Sequence, residues 1–306
     1  YAKGKKIVYS IKAAALEDYT VAVDGFKMTF THTPPAPLFS IVLRPEASGE
    51  QVKSNDSAII DYSHTGDGYV MIQYTAEATV RLKVQLLGPT TTYSYDLRPG
   101  QWEVFPLSDG EGTYKIRILE NVVDNRYATV LSLSTAVTME DAFAPFLRPN
   151  QYVDYADAVK TVAKGAELCR GLTTDLEKID AIYKYVVDTF NYDRNKANTV
   201  QSDYLPVLDS VLAEQKGICS DYAAVMTAML RSQGIPCKLV VGYLKSEAHA
   251  WISVWTEETG WVDGNIYFDG TNWKRMDPTV ASSRGHTQSA VDYIGNNANY
   301  TSKYYY

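Results

Sequence analysis

A chain of 306 residues with 45% hydrophobic content can bury a sizeable core, and its length favours two domains over one. Its 36 acidic and 29 basic residues are interspersed and leave a formal charge of -7, which excludes a basic footprint for nucleic acid or anionic lipid. No apolar run approaches the roughly 18 residues of a membrane-spanning helix, and three cysteines are too few for a disulfide framework.

The sequence opens at Tyr1 rather than Met, from which removal of an N-terminal segment is expected. Its 24 tyrosines and its Thr-, Val- and Ile-rich runs fit an extracellular or cell-surface protein. From about residue 5 to about 138 apolar residues recur at every second position, in runs such as Gly68-Tyr-Val-Met-Ile-Gln-Tyr74, Val80-Arg-Leu-Lys-Val-Gln-Leu86 and Thr113-Tyr-Lys-Ile-Arg-Ile-Leu119. The alternation predicts an all-β sandwich over residues 1–140. Thr33-Pro34-Pro35-Ala36-Pro37 breaks it as a loop or edge, and Glu46 to Asn55 reads as a polar connector.

Near Met139 the alternation stops, and Pro145-Phe-Leu-Arg-Pro149-Asn reads as an extended connector into a second domain, residues 141–306. Ala156, Val159, Ala163 and Ala166 recur at helical spacing. Thr174-Asp175 caps a second helix whose Leu176, Ile179, Ile182, Val186 and Phe190 form one apolar face. A loop and a further short helix lead to Gly217.

The segment Lys216-Gly217-Ile218-Cys219-Ser220-Asp221-Tyr222-Ala223 reads as a turn entering a helix that Gly234 and Pro236 stop. Cys219 then sits at a helix N-terminus, where the dipole favours a thiolate and Asp221 works partly against it. Lys238 to Tyr243 and Ala248 to Trp255 read as strands, with Ala250, Ile252 and Val254 facing the core and His249 sharing the other face with Trp251. A third strand, Trp273 to Asp277, is ended by Pro278. Pairing of these strands brings His249 and Asp277 within reach of each other. A thiol, an imidazole and a carboxylate in that order suit attack on a carbonyl carbon, protonation of the leaving amine and orientation of the ring.

Five linked motifs, Gly-Ile-Cys219-Ser-Asp-Tyr-Ala, Gly-Ile-Pro236, Gly242-Tyr, His249-Ala-Trp251 and Trp273-x-x-x-Asp277-Pro-Thr, resemble the transglutaminase-like superfamily over about residues 150–285. The resemblance implies an α+β papain-like domain with a Cys219, His249, Asp277 triad. It also implies an oxyanion hole made by the Cys219 backbone N–H and a side-chain donor. Tyr204 is ranked ahead of Gln215 for that donor. No cofactor is implied.

Other residues have plainer readings. Cys169 and Cys237 read as inert buried thiols, with a bridge between them as the alternative. His32, His64 and His286 lie in loops without ligand-spaced partners, so no metal site is expected. Asp263 lies in a Gly-flanked turn and is ranked below Asp277. Trp251 and Trp273, with Trp261, are groove candidates or core aromatics in equal measure. Tyr304-Tyr305-Tyr306 reads as a tail. The functional expectation is an extracellular thiol enzyme acting on amide bonds of a peptide or protein substrate, including cell-wall or surface proteins, by hydrolysis more than by cross-linking. The alternatives are acyl transfer to an amine, or a surface binding protein whose thiol domain is retired.

Overall fold

The computed structural model describes residues 17–23, 26–32, 36–201, 203–262, 277–284, 289, 293–294 and 296–306. The predicted strand leading to Asp277, with Trp273, and also Asp263 and His286, lie outside them. Two compact units divide the chain, Tyr1–Leu38 and Phe39–Tyr306. In the first, β1 (Glu17–Val23) and β2 (Phe26–His32) pair antiparallel, with Glu17 opposite His32 and Val23 opposite Phe26.

The second unit begins with eight strands: β3 (Val52–Ser54), β4 (Ala58–Asp61), β5 (Tyr69–Tyr74), β6 (Leu82–Leu87), β7 (Thr92–Leu97), β8 (Trp102–Pro106), β9 (Gly112–Val123) and β10 (Arg126–Val137). They form two antiparallel four-stranded sheets in the orders β3-β4-β5-β8 and β10-β9-β6-β7. The period of two is visible in the burial. Leu82, Val84 and Leu86 of β6 are buried while Lys83 and Gln85 are not, and Tyr93, Tyr95 and Leu97 do the same on β7. Strand β3 falls inside the segment expected to be a polar connector. It is exposed along its whole length, so no apolar alternation announces it.

The connector before the helices is likewise more structured than expected. A buried 3₁₀ turn, Ala144–Phe146, replaces an extended run, with Pro145 in its first turn, where a missing N–H costs nothing. Phe143 and Phe146 pack on Trp261, and Lys238 Nζ lies 3.7 Å from the centre of that indole. Trp261 therefore belongs to this packing.

Helices α1 (Val159–Leu168) and α2 (Asp175–Thr189) follow, the latter opened by a capping box in which Thr174 Oγ1 accepts from Glu177 N and Glu177 accepts from Thr174 N. Next come β11 (Asn191–Tyr192), α3 (Arg194–Thr199), α4 (Leu208–Glu214), β12 (Lys216–Gly217) and α5 (Cys219–Arg231). From Asp221 to Arg231 every residue of α5 is buried, as befits a helix covered on all sides. It lies against α1, α2, α4, β13 (Cys237–Leu244), β14 (Glu247–Thr256) and α6 (Pro278–Arg284). The sheet beside it has the order β15-β14-β13-β16, with β15 Gly260–Val262 and β16 Tyr300–Tyr305. No described helix is long and apolar enough to cross a membrane.

The tail reading of the last tyrosines is corrected by β16. It pairs antiparallel with β13, and Tyr306 beyond it is 3% exposed. Two features hold it there. The fully buried Arg231 ends α5 and donates from Nε to Cys237 O, from Nη1 to Arg148 O and from Nη2 to Tyr306 O, at 2.9, 2.6 and 2.7 Å. Gly242 of β13 supplies the space: a Cβ there would stand 2.1 Å from Thr301 O and 2.9 Å from the Trp251 ring. Gly242→Ala is accordingly expected to lower stability by about 1–3 kcal/mol through overpacking and to speed amide exchange along β16. Gly66→Ala, whose nearest neighbours would lie at an ordinary 3.8 Å, is expected to change neither. Urea titration with hydrogen exchange checks both.

Candidate active site

Cys219 is the first residue of α5 and is half-buried. The turn that delivers it is fixed from both sides. Strand β12 pairs in parallel with β11, placing Tyr192 beside Gly217. Asp221, two residues past the thiol, turns back so that its carboxylate accepts from Ile218 N at 2.8 Å, satisfying one donor ahead of the helix. A Cβ on Gly217 would lie 2.6 Å from the Asp221 Cβ and 2.7 Å from its Oδ2, so this geometry requires glycine there. Among the described residues no acceptor meets the backbone N–H of Cys219, a donor of the helix start that can serve a substrate oxygen.

Asp221 is fully buried yet not an uncompensated charge. Lys196 Nζ lies 2.7 Å from Oδ2, and the Tyr204 hydroxyl donates to Oδ1 at 2.5 Å. The expectation that Asp221 opposes a thiolate is thus modified, because an ammonium balances it. Tyr204 also receives a hydrogen bond from Lys196 at 2.6 Å. Burial first, and then the Asp221 carboxylate, push the Tyr204 phenol well above its ordinary pKa and keep it protonated. Its one proton is directed at Asp221, and its side chain belongs to the support of the nucleophile turn. Gln215, in the left-handed conformation after α4, is exposed, and its Nε2 lies 3.5 Å from the Tyr185 hydroxyl.

His249 lies on β14 opposite Gly242, and its Nε2 is 2.7 Å from Asp277 Oδ2. The second ring nitrogen is left for the thiol, and Cys219 lies near enough to the imidazole to raise its pKa. Asp277 is fully buried. It caps α6: Oδ1 accepts from Val280 N at 3.0 Å, and its carbonyl accepts from Ala281 N. Pro278 opens this helix, so the Asp-Pro pair marks a helix start. Tyr300 of β16 donates its hydroxyl to Asp277 Oδ2 at 2.8 Å. Sequence reasoning missed Tyr300 and Lys196. A run of Tyr and Thr with strand propensity was the available signal for the first, and none was available for the second.

Trp251 is 2% exposed and packs with Val240 and Tyr300, its ring 6.1 Å from that of His249. Burial gives it a place beneath the imidazole and not on an open groove wall. Cys169 and Cys237 are buried free thiols, so the alternative of a bridge between them is not realised. Burial pushes them up to about 11 and about 12.

For His249, burial lowers the pKa, but the charge and hydrogen bond of Asp277, with the contact to Cys219, outweigh it and carry the imidazole from 6.5 up to about 10. A group that binds its proton more tightly when folded stabilises the fold at low pH. The contribution is full below about pH 6.5, erodes above it, and is gone once pH passes about 10. The stability of the wild type minus that of His249→Gln, from urea melts, is expected to shrink across that window. A difference that stays constant or grows contradicts the geometry.

Residues 162–278 match the profile of Transglut_core, the transglutaminase-like superfamily. The uncharacterized protein YebA of Bacillus subtilis is 24% identical over 225 residues, covering 65% of this chain and 29% of that protein. A protein-glutamine gamma-glutamyltransferase of Pseudomonas aeruginosa is 34% identical over 68 residues, which are 18% of this chain and 10% of that one. The chain thus spans less than a third of the length of either. Among solved structures, the periplasmic domain of TgpA from Pseudomonas aeruginosa aligns at 16% identity and TM-score 0.37, covering 92% of this chain and 87% of that one. The segment that carries Cys219, His249 and Asp277 is a transglutaminase-like superfamily core.

Proposed function

We propose that the protein is a thiol enzyme that opens amide bonds in peptide or protein substrates through an acyl-enzyme on Cys219, with Cys219, His249 and Asp277 as its triad. The observation that carries this reading is the His249–Asp277 pair, 2.7 Å long and ending on a buried carboxylate, with Cys219 at a helix start near enough to the imidazole to raise its pKa. The Cys219 sulfur attacks the carbonyl carbon, a C–S bond forms, and the oxygen takes the negative charge beside the Cys219 backbone N–H. Collapse breaks the C–N bond while the imidazolium gives its proton to the departing amine. A thioester remains. Water then gives a proton to the neutral imidazole as its oxygen attacks, the C–S bond breaks, and acid and resting pair are regained.

Water is the acceptor in the first reading. Amine as acceptor is the second, favoured by the gamma-glutamyltransferase likeness, which covers only 68 residues. In either, Tyr204 supports the nucleophile turn unless substrate binding frees its hydroxyl to serve the oxyanion. We place the activity outside the cytoplasm, on the tyrosine-rich composition. We also assign the β-rich part of the chain, read as a sandwich, to substrate targeting, since strands of this kind carry no chemistry of their own.

One assay separates the readings. Candidate peptides and proteins are incubated with enzyme, a fluorescent primary amine and water enriched in heavy oxygen, and the products are weighed. Heavy oxygen in a new carboxyl group marks hydrolysis, and amine incorporation marks transfer. Cys219→Ala is expected to remove either activity by at least about a thousandfold. Unchanged turnover in that variant contradicts the proposal.

A further inference from the structure

We infer that Tyr300 is a positioning residue for the triad, holding Asp277 in the orientation that serves His249; the inference rests on the thiol-enzyme reading above. Three observations converge on it. The Tyr300 hydroxyl donates to Asp277 Oδ2 at 2.8 Å, the same oxygen that His249 Nε2 meets at 2.7 Å. The other oxygen, Oδ1, is held by Val280 N at the start of α6. Both ends of the carboxylate are therefore tethered, one by a helix and one by a strand from the far end of the described sequence, and rotation about the Cβ–Cγ bond breaks a bond at either end. A buried carboxylate makes good use of each donor it has.

The tether is built into the sheet. Tyr300 is 8% exposed and sits edge-on to Trp251, ring centres 5.3 Å apart, while Trp251 stands nearly parallel to the imidazole. Gly242, between His249 on one neighbouring strand and Ser302 on the other, leaves room for the Trp251 ring and for the β16 backbone. Across the sheet, a glycine that admits β16, a tryptophan that seats the Tyr300 ring and a hydroxyl that reaches Asp277 form one device. The strand read as a tail thus enters the triad's hydrogen-bond chain.

Tyr300→Phe removes one oxygen and keeps the ring against Trp251. Its melting temperature is expected to stay near that of the wild type. The rate at which iodoacetamide alkylates Cys219 near neutral pH, followed by peptide mass spectrometry, is expected to fall about tenfold, with buried Cys169 and Cys237 unlabelled in both proteins. Asp277→Asn should lower that rate at least as far, and adding Tyr300→Phe to it should lower it little more, because the hydroxyl acts through the carboxylate. The low-field proton resonance of the His249–Asp277 hydrogen bond is expected to shift in Tyr300→Phe.

Wild-type alkylation and an unmoved resonance in Tyr300→Phe, with Asp277→Asn slowed, overturn the inference and leave the triad standing. A Tyr300→Phe protein that unfolds, or whose effect adds in full to that of Asp277→Asn, assigns the residue to packing and also overturns it. Should His249→Gln and Asp277→Asn alkylate as fast as the wild type, the thiol-enzyme reading fails, and this inference with it.

Discussion

The structure around the site depends on one buried carboxylate, that of Asp277. It has no solvent to turn to, so its charge must be met by protein donors, and among the described residues these come from three separate elements: the β14 imidazole, the β16 phenol and the first turn of α6. Placing them together fixes the order of the sheet edge, the entry of α6 and the face of β14 that carries His249. The raised pKa of His249 follows from the same arrangement, since burial alone would lower it.

At the opposite end of the relay the nucleophile turn solves a similar problem. Asp221 is buried as deeply as Asp277, and its donors are the Ile218 N–H, Lys196 and Tyr204. Each carboxylate thus pins one terminus of a helix, α5 or α6, and each helix start carries one end of the relay from Cys219 to Asp277. Gly217 and Gly242 are the matching spaces: the first admits the Asp221 side chain, the second the β16 backbone. Charge satisfaction and close approach, more than apolar burial, set the relation between thiol and imidazole.

Much of this was legible in the sequence. The capping box at Thr174, the helix after Cys219, and the alternation of Ala250, Ile252 and Val254 each follow from local periodicity or cap chemistry, which survive folding because the neighbours agree with them. The meeting of His249 and Asp277 was expected from chain order and from a strand pairing whose second member, Trp273 to Asp277, lies outside the described residues except for Asp277 itself. Strand β3 is three residues long and exposed throughout, and carried no signal. Asp277-Pro278 was read as a strand end, although Asp before Pro serves equally as the cap of a helix. Tyr300 and Lys196 could not be assigned from sequence, because their roles come from partners 23 and 25 residues away.

The central claim is that Cys219 is an acylating nucleophile driven by His249. The most direct measurement is intact-mass and peptide mapping after exposure to an electrophilic peptide probe that mimics an acyl donor. The account predicts one adduct per chain, on Cys219, that disappears in His249→Gln while the protein remains folded. An unlabelled Cys219, or a label on it that persists without His249, would contradict it.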